Sequence, residues 1–189
     1  MKLRTFIALE PAEVHKQAIL NYLNIWSRAY PHGISWVKPE NLHLTTLFIG
    51  DTQSSDLEQI KAALFELILR TPCFELKCKG FELFPAAEPR LLWVKQESSD
   101  NSIFAFAKEL KRTVAELGLE PDAKSLRLHI TAGRIKSQQP VHAEREFLAA
   151  ALPAEAAIYD TVTFYQSILK PEGPVYTPLE QYTLKNTII

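Results

Sequence analysis

The pattern His-x-Thr-x occurs twice in this chain, as His43-Leu44-Thr45-Thr46 and as His129-Ile130-Thr131-Ala132, each inside an apolar run with strand-like alternation. A strand sends successive side chains to opposite faces. His43 and Thr45 therefore share one face, with Leu42 and Leu44 on the other. His129 and Thr131 share a face in the same way, with Leu128 and Ile130 behind them. Each copy brings one titratable nitrogen and one neutral hydroxyl to the same space. Two copies facing each other would supply an acid, a base and two donors for an anion. They lie almost half the chain apart with no linker or low-complexity segment between them, which reads as a unit used twice rather than as a solenoid.

The rest of the chain supplies helices and hairpins around these strands. Residues 1–10 read as a first strand. Pro11-Ala12-Glu13 opens a helix whose stripe of Val14, Ala18, Tyr22 and Trp26, broadened by Ile19 and Leu23, closes near Tyr30. Residues 34–37 are a short extended piece, and 51–55 a turn-rich link. Leu57, Ile60, Leu64, Leu67 and Ile68 mark a second helix. Residues 74–83 and 90–94 read as a hairpin around Pro85 to Pro89, with Phe74, Leu76 and Phe81 as buried positions. Ile103, Phe106, Leu110 and Val114 give a third helix, stopped by Gly118. A short helix over 143–151, a long strand over 158–169, a turn at Pro171-Glu172-Gly173-Pro174 and a strand over 175–184 complete the order. Helices scattered among hairpins predict an α+β fold rather than a doubly wound parallel sheet.

Bulk properties narrow the function. With 189 residues and 47% hydrophobic content, the chain suits one domain with a substantial core. A net charge of −1 argues against a broad basic surface for duplex DNA, but not against a small basic pocket. No apolar run is long enough for a membrane span. The N-terminal apolar stretch is too short for a signal peptide, so a cytoplasmic protein is expected. Cys73 and Cys78 are spaced so that an extended run puts them on opposite faces, which predicts two reduced thiols rather than a local disulfide. A zinc site through His43 and His129 lacks a third ligand at recognisable spacing. His15, His32 and His142 read as surface residues, and Trp26, Trp36 and Trp93 as packing residues.

The doubled motif and its flanks resemble the two-histidine phosphoesterase superfamily, and within it the RNA 2′,3′-cyclic phosphodiesterases, also called 2′-5′ RNA ligase-like proteins. Arg4-Thr5-Phe6-Ile7-Ala8 is similar to the family's opening strand. Trp36-Val37-Lys38-Pro39-Glu40-Asn41-Leu42-His43-Leu44-Thr45 is similar to its approach to the first motif. Leu92-Trp93-Val94 resembles its hairpin strand, and Gln166-Ser167 with Gly173-Pro174-Val175-Tyr176 its C-terminal hairpin. Three positions depart from the family pattern. Leu128 stands where proline often precedes the second histidine, Leu126 where phenylalanine is frequent, and Ala132-Gly133 where an aliphatic residue is common.

The resemblance implies a single bilobal domain, residues 1–189. Two mainly antiparallel sheets with pseudo-twofold symmetry would flank a central cleft, with helices outside. It implies hydrolysis of RNA 2′,3′-cyclic phosphate ends to a terminal 2′-phosphate by a monomer that needs no cofactor and no metal. The chemistry fits the residues. Opening a cyclic phosphodiester needs a water activated on one side of phosphorus and a leaving oxygen protonated on the other. Histidine, with a reference pKa of about 6.5, suits both tasks. Thr45 and Thr131 are candidate donors to the phosphoryl oxygens. By resemblance His43 gives the proton and His129 takes it; the residues alone say only that the pair splits the roles. Arg134, after the second motif, is a candidate phosphate contact through its planar fork of donors. Phe48, near the end of the first motif strand, is either core or a base-stacking platform. The alternatives are another cyclic-nucleotide phosphodiesterase of the same superfamily, a 2′-5′ RNA ligase activity in the same site, and a non-catalytic binder of RNA ends.

Overall fold

The computed structural model describes residues 1–136, 141–171 and 173–186, with the backbone alone at Val141 and His142. The chain runs β1 (Lys2–Leu9), α1 (Glu13–Ala29), β2 (Ile34–Trp36), β3 (Leu44–Gln53), α2 (Leu57–Ile68), β4 (Phe74–Phe84), β5 (Leu91–Ser98), α3 (Ser102–Glu116), β6 (His129–Ile135), α4 (Val141–Ala149), β7 (Ala157–Tyr159), β8 (Thr161–Lys170) and β9 (Gly173–Thr183). The strands form two antiparallel sheets, one in the order β3-β1-β8-β9 and the other in the order β2-β6-β5-β4-β7. Each sheet holds one motif. This is the expected α+β class.

The sheets share a core. Ile7, Leu9 and Leu44 of the first sheet belong to one apolar cluster with Leu76, Val94 and Ile130 of the second, and α1, α2 and α3 add Ile19, Leu64 and Leu110. Each such side chain, fully buried, contributes about 1.5–3 kcal/mol relative to exposure. Residues 37–43 carry the chain from β2 in one sheet to β3 in the other. The Val37 N–H donates to Ala132 O at 3.0 Å, and the Asn41 amide donates to Pro174 O at 3.0 Å. That crossing segment ends on His43.

Four expectations need correction. The buried stripe of α1 is His15, Ile19, Leu23 and Trp26, while Val14 is 56% exposed. His15 is therefore not a surface residue. Its ring nitrogens meet the Tyr159 hydroxyl and Glu155 O, both at 3.1 Å, and a histidine satisfied on both sides can be buried where a count of apolar residues would not place it. The turn-rich link at 51–55 is strand as far as Gln53, because Lys2 to Arg4 of β1 pair with Asp51 to Gln53. Thr5 and Thr52 bury their hydroxyls against each other there at 2.7 Å. The long strand over 158–169 divides at Asp160. β7 pairs with β4 in the second sheet, and β8 pairs with β1 and β9 in the first. The one mark of the break is Asp160, which stands in the phase of Ile158 and Val162, while the buried Tyr159 stands in the other.

Other expectations hold. α2, the buried Phe74, Leu76 and Phe81, and α3 ending at Gly118 with φ +81° all stand as read. Cys73 and Cys78 are free thiols. Among the described residues no helix is long and apolar enough to cross a membrane. The His142 side chain and Glu172, in the expected turn before β9, lie outside the described residues.

Candidate active site

Both motifs bend their strands in the same way. In β3, Ile7 pairs with Leu47 and Ala8 with Thr45, so Thr46 is the extra residue of a β-bulge. In β6, Leu92 pairs with Gly133 and Trp93 with Thr131, so Ala132 is the extra residue. The bulge falls at the last position of His-x-Thr-x in each copy. Bulges beside active sites re-aim side chains, and these two do so identically. Residues 43–48 and 129–134 share one burial pattern: histidine and threonine half-buried, the residues between and the next two buried, the sixth exposed.

The sixth residue is Phe48 in one copy and Arg134 in the other. Strict alternation from the histidine would turn both toward the core. The bulge inserts one residue and returns them to the face of the histidine and threonine. Phe48 is accordingly 46% exposed, with its ring 5.9 Å from Phe6. Arg134 is exposed and forms no ion pair among the described residues.

The bulges also account for the small residues after the second threonine. Ala132 is fully buried, and a Cβ on Gly133 would stand 2.8 Å from Ile34 Cγ2 and 3.4 Å from the Trp36 ring. The doubly buried step leaves no room for a larger side chain against β2. In the first copy Thr46 takes the buried place, its hydroxyl satisfied by Ile7 O at 3.0 Å.

Each imidazole is held by the carbonyl two residues before it. His43 Nδ1 lies 2.7 Å from Asn41 O, and His129 Nδ1 lies 2.8 Å from Arg127 O. A carbonyl only accepts, so both Nδ1 atoms carry a proton and the neutral rings present an unprotonated Nε2. Nε2 of His43 is 3.0 Å from Thr45 Oγ1, whose hydroxyl donates to it. Among the described residues Nε2 of His129 and the Thr131 hydroxyl have no hydrogen-bonding partner.

The surroundings of the two rings differ. Phe6, Tyr165 and Tyr176 crowd His43, with Phe6 and Tyr176 at ring distances of 5.1 and 5.2 Å. These three with Ala8 form an apolar cluster apart from the main core. His129 lies on Trp93 at 4.3 Å, and Trp93 stacks on Phe84 at 4.2 Å. Burial pushes the His43 imidazole down to about 4. The Asn41 hydrogen bond opposes that shift, and the charges of His129 and Arg134 add to it. That coupling brings the residues of the second motif within electrostatic reach of the first, and β3 and β6 touch. His129 is also held below its ordinary value, mainly by burial, against the hydrogen bond to Arg127 O.

The structure thus places His43, Thr45, His129 and Thr131 on the faces that alternation assigns them, and its bulges turn Phe48 and Arg134 to the same faces. It adds residues that sequence reasoning missed or passed over as packing: Phe6, Tyr165 and Tyr176 around one imidazole, Trp93 and Phe84 around the other. An aromatic on another strand leaves no local signal, since it meets its histidine only through sheet pairing. Among the described residues no group of three or more His, Cys, Asp or Glu is arranged to hold a metal ion. A groove between α2 and the end of β9, lined by Lys61, Phe65 and Leu69, includes neither motif.

Comparison with known proteins converges on one family. A model of LigT-like phosphoesterases matches residues 9–93. An RNA 2′,3′-cyclic phosphodiesterase of Thermotoga maritima is 30% identical over 99% of this chain and 98% of its own length. Another, from Archaeoglobus fulgidus, is 28% identical over 95% of this chain and 99% of its own. Among solved structures, TT0787 of Thermus thermophilus superposes with a TM-score of 0.82 at 27% identity, covering 97% of this chain and 99% of that one. E. coli LigT complexed with 3′-AMP has the same fold, with a TM-score of 0.73 at 19% identity over 98% of this chain and 100% of that one.

Proposed function

This chain belongs to the LigT-like phosphoesterase family, and on that premise we propose that it opens RNA 2′,3′-cyclic phosphate ends to a terminal 2′-phosphate, with His43 and His129 dividing acid and base and without a metal. The enzyme class, a phosphoric diester hydrolase, comes with the family. The observation that carries the finer reading is the pair of imidazoles, each clamped at Nδ1 so that Nε2 is presented beside a threonine hydroxyl.

In this reading His129 Nε2 takes a proton from the water that attacks phosphorus. The bond from phosphorus to the 3′ oxygen breaks, and His43 Nε2–H protonates that oxygen as it leaves. One proton enters the pair and one departs, and exchange with solvent restores the starting state before the next turnover. The free enzyme holds both rings mostly neutral at pH 7, because both values are lowered. An incoming phosphate anion opposes that shift and favours one imidazolium. Thr45, released from His43 Nε2 once that nitrogen is protonated and turned to the leaving oxygen, and Thr131 donate to the phosphoryl oxygens. Arg134 supplies a charged fork to the same oxygens, and Phe48 offers a face to the terminal base.

The test is to incubate the protein, with EDTA present, with an oligonucleotide ending in a 2′,3′-cyclic phosphate and to identify the new terminus. A 2′-phosphate formed at an unchanged rate with and without EDTA is expected. A 3′-phosphate product, or activity lost to EDTA, contradicts the reading.

A further inference from the structure

A second cation stands beside the site. Arg127 is exposed and forms no ion pair among the described residues. Its guanidinium is not loose. It lies over the Phe84 ring, with Cζ 4.8 Å from the centroid. Phe84 stacks on Trp93, and Trp93 meets His129 at a tilt with ring centres 4.3 Å apart, so contacts run from the cation through two rings to the second imidazole. Its charge is felt at the second imidazole, since Arg127 is among the groups that lower His129. The neighbouring Lys95 is otherwise engaged, paired with Glu82 at 3.3 Å, while Glu82 also accepts from Trp93 Nε1 at 3.3 Å.

We infer that Arg127, held on Phe84, binds the internucleotide phosphate next to the terminal cyclic phosphate and so makes the site prefer an RNA strand to a mononucleotide. This rests on the proposed reaction and names what selects its substrate. A guanidinium fixed on an aromatic face keeps its donors free for a phosphate while losing little side-chain entropy on binding. Contacts through the Phe84 and Trp93 rings link it to the imidazole that would meet the reacting phosphate. On this inference it meets the next phosphate along a strand, while Arg134 serves the reacting one. A positive group tracking the backbone beside stacked aromatics is how single strands are held without sequence preference. The chain's net charge of −1 makes such placement matter, because no broad basic field would retain the strand instead.

The experiment compares kcat/KM for a dinucleotide carrying one internal phosphodiester and a terminal 2′,3′-cyclic phosphate with that for the matching nucleoside 2′,3′-cyclic phosphate. Arg127→Ala should lower the dinucleotide-to-mononucleotide ratio about tenfold, the effect of losing one charge-assisted contact. The mononucleotide rate is the internal reference for any disturbance of His129, whose clamp is the Arg127 backbone. The slope of log(kcat/KM) against log[salt] for the dinucleotide should also shrink by about 0.7, the value for one phosphate contact on a single strand. Phe84→Leu should lower the ratio in the same direction but less. An unchanged ratio and slope in Arg127→Ala overturns the inference and leaves the proposed reaction standing. If the native protein turns over neither substrate, the proposed reaction fails. The inference is then decided by binding of the 2′-phosphorylated dinucleotide against the nucleoside 2′-phosphate, with the same ratio expected to fall and an unchanged ratio overturning it.

Discussion

The strand around His43 and the strand around His129 are built on the same frame and dressed differently. Both clamp Nδ1 with the carbonyl two residues back, both place a bulge after the threonine, and both return the sixth residue to the histidine's face. The first then offers Phe48 and buries its imidazole among Phe6, Tyr165 and Tyr176. The second offers Arg134 and rests its imidazole on Trp93. The frame is local and fixes which ring nitrogen is left free of the backbone. The dressing arrives from other strands and fixes how readily that atom holds a proton. Two copies of one short motif can in this way become unlike partners, and because His43 holds a proton less readily, its role as acid depends on the bound phosphate anion that favours its imidazolium.

Removing either imidazole should erase the comparison. His43→Ala and His129→Ala are each expected to lower kcat by about 10²–10⁴, the usual worth of a positioned acid or base, with circular dichroism unchanged. Native-like turnover in either variant would mean that the two strands do not share the work. The sixth residues should then separate the copies. Arg134→Gln is expected to cost about ten- to a hundredfold in kcat/KM on every phosphate substrate, since a charge-assisted hydrogen bond is lost. Phe48→Ala should cost about tenfold, mainly in KM, and should vanish on a substrate whose terminal base is absent. Equal effects on a baseless substrate would show that the bulges present two phosphate contacts rather than a stack and a cation.

The smallest expected effect is in pH. The fraction of enzyme with one protonated and one neutral imidazole peaks between the two values whichever ring holds the proton, and both values are lowered, that of His43 to about 4. The kcat/KM profile, which reports the free enzyme, should therefore peak below about pH 6.5, the ordinary histidine value. The kcat profile should lie higher, because bound phosphate favours the imidazolium. Stability follows the same sign. His43 binds a proton less readily folded than unfolded, so its contribution is present above pH 6.5 and is lost as pH falls toward 4.

Much of this was legible in the sequence, for a physical reason. Strand alternation and a repeated tetrapeptide are local, and they assigned His43, Thr45, His129 and Thr131 to the correct faces. The bulges were not legible, because a bulge is a property of pairing and needs the partner strand. Strict alternation therefore left Phe48 open between core and cleft. Arg134 was marked by its chemistry, and only the bulge at Ala132 explains how it faces the site. Trp93 was read as packing, which it is, but what it packs on is the second imidazole. His15 was read as exposed because its partners, Tyr159 and Glu155, lie far along the chain.

The central claim is that the two strands present the same nitrogen with different proton affinity. ¹⁵N-resolved NMR titration of the two imidazoles in the free protein tests it most directly. Both rings should be protonated at Nδ1 when neutral, both should titrate below 6.5, His43 should titrate lowest, near 4, and both should move up when a nucleoside 2′-phosphate binds. A neutral ring carrying its proton on Nε2, or a His43 that titrates above His129, would contradict the account.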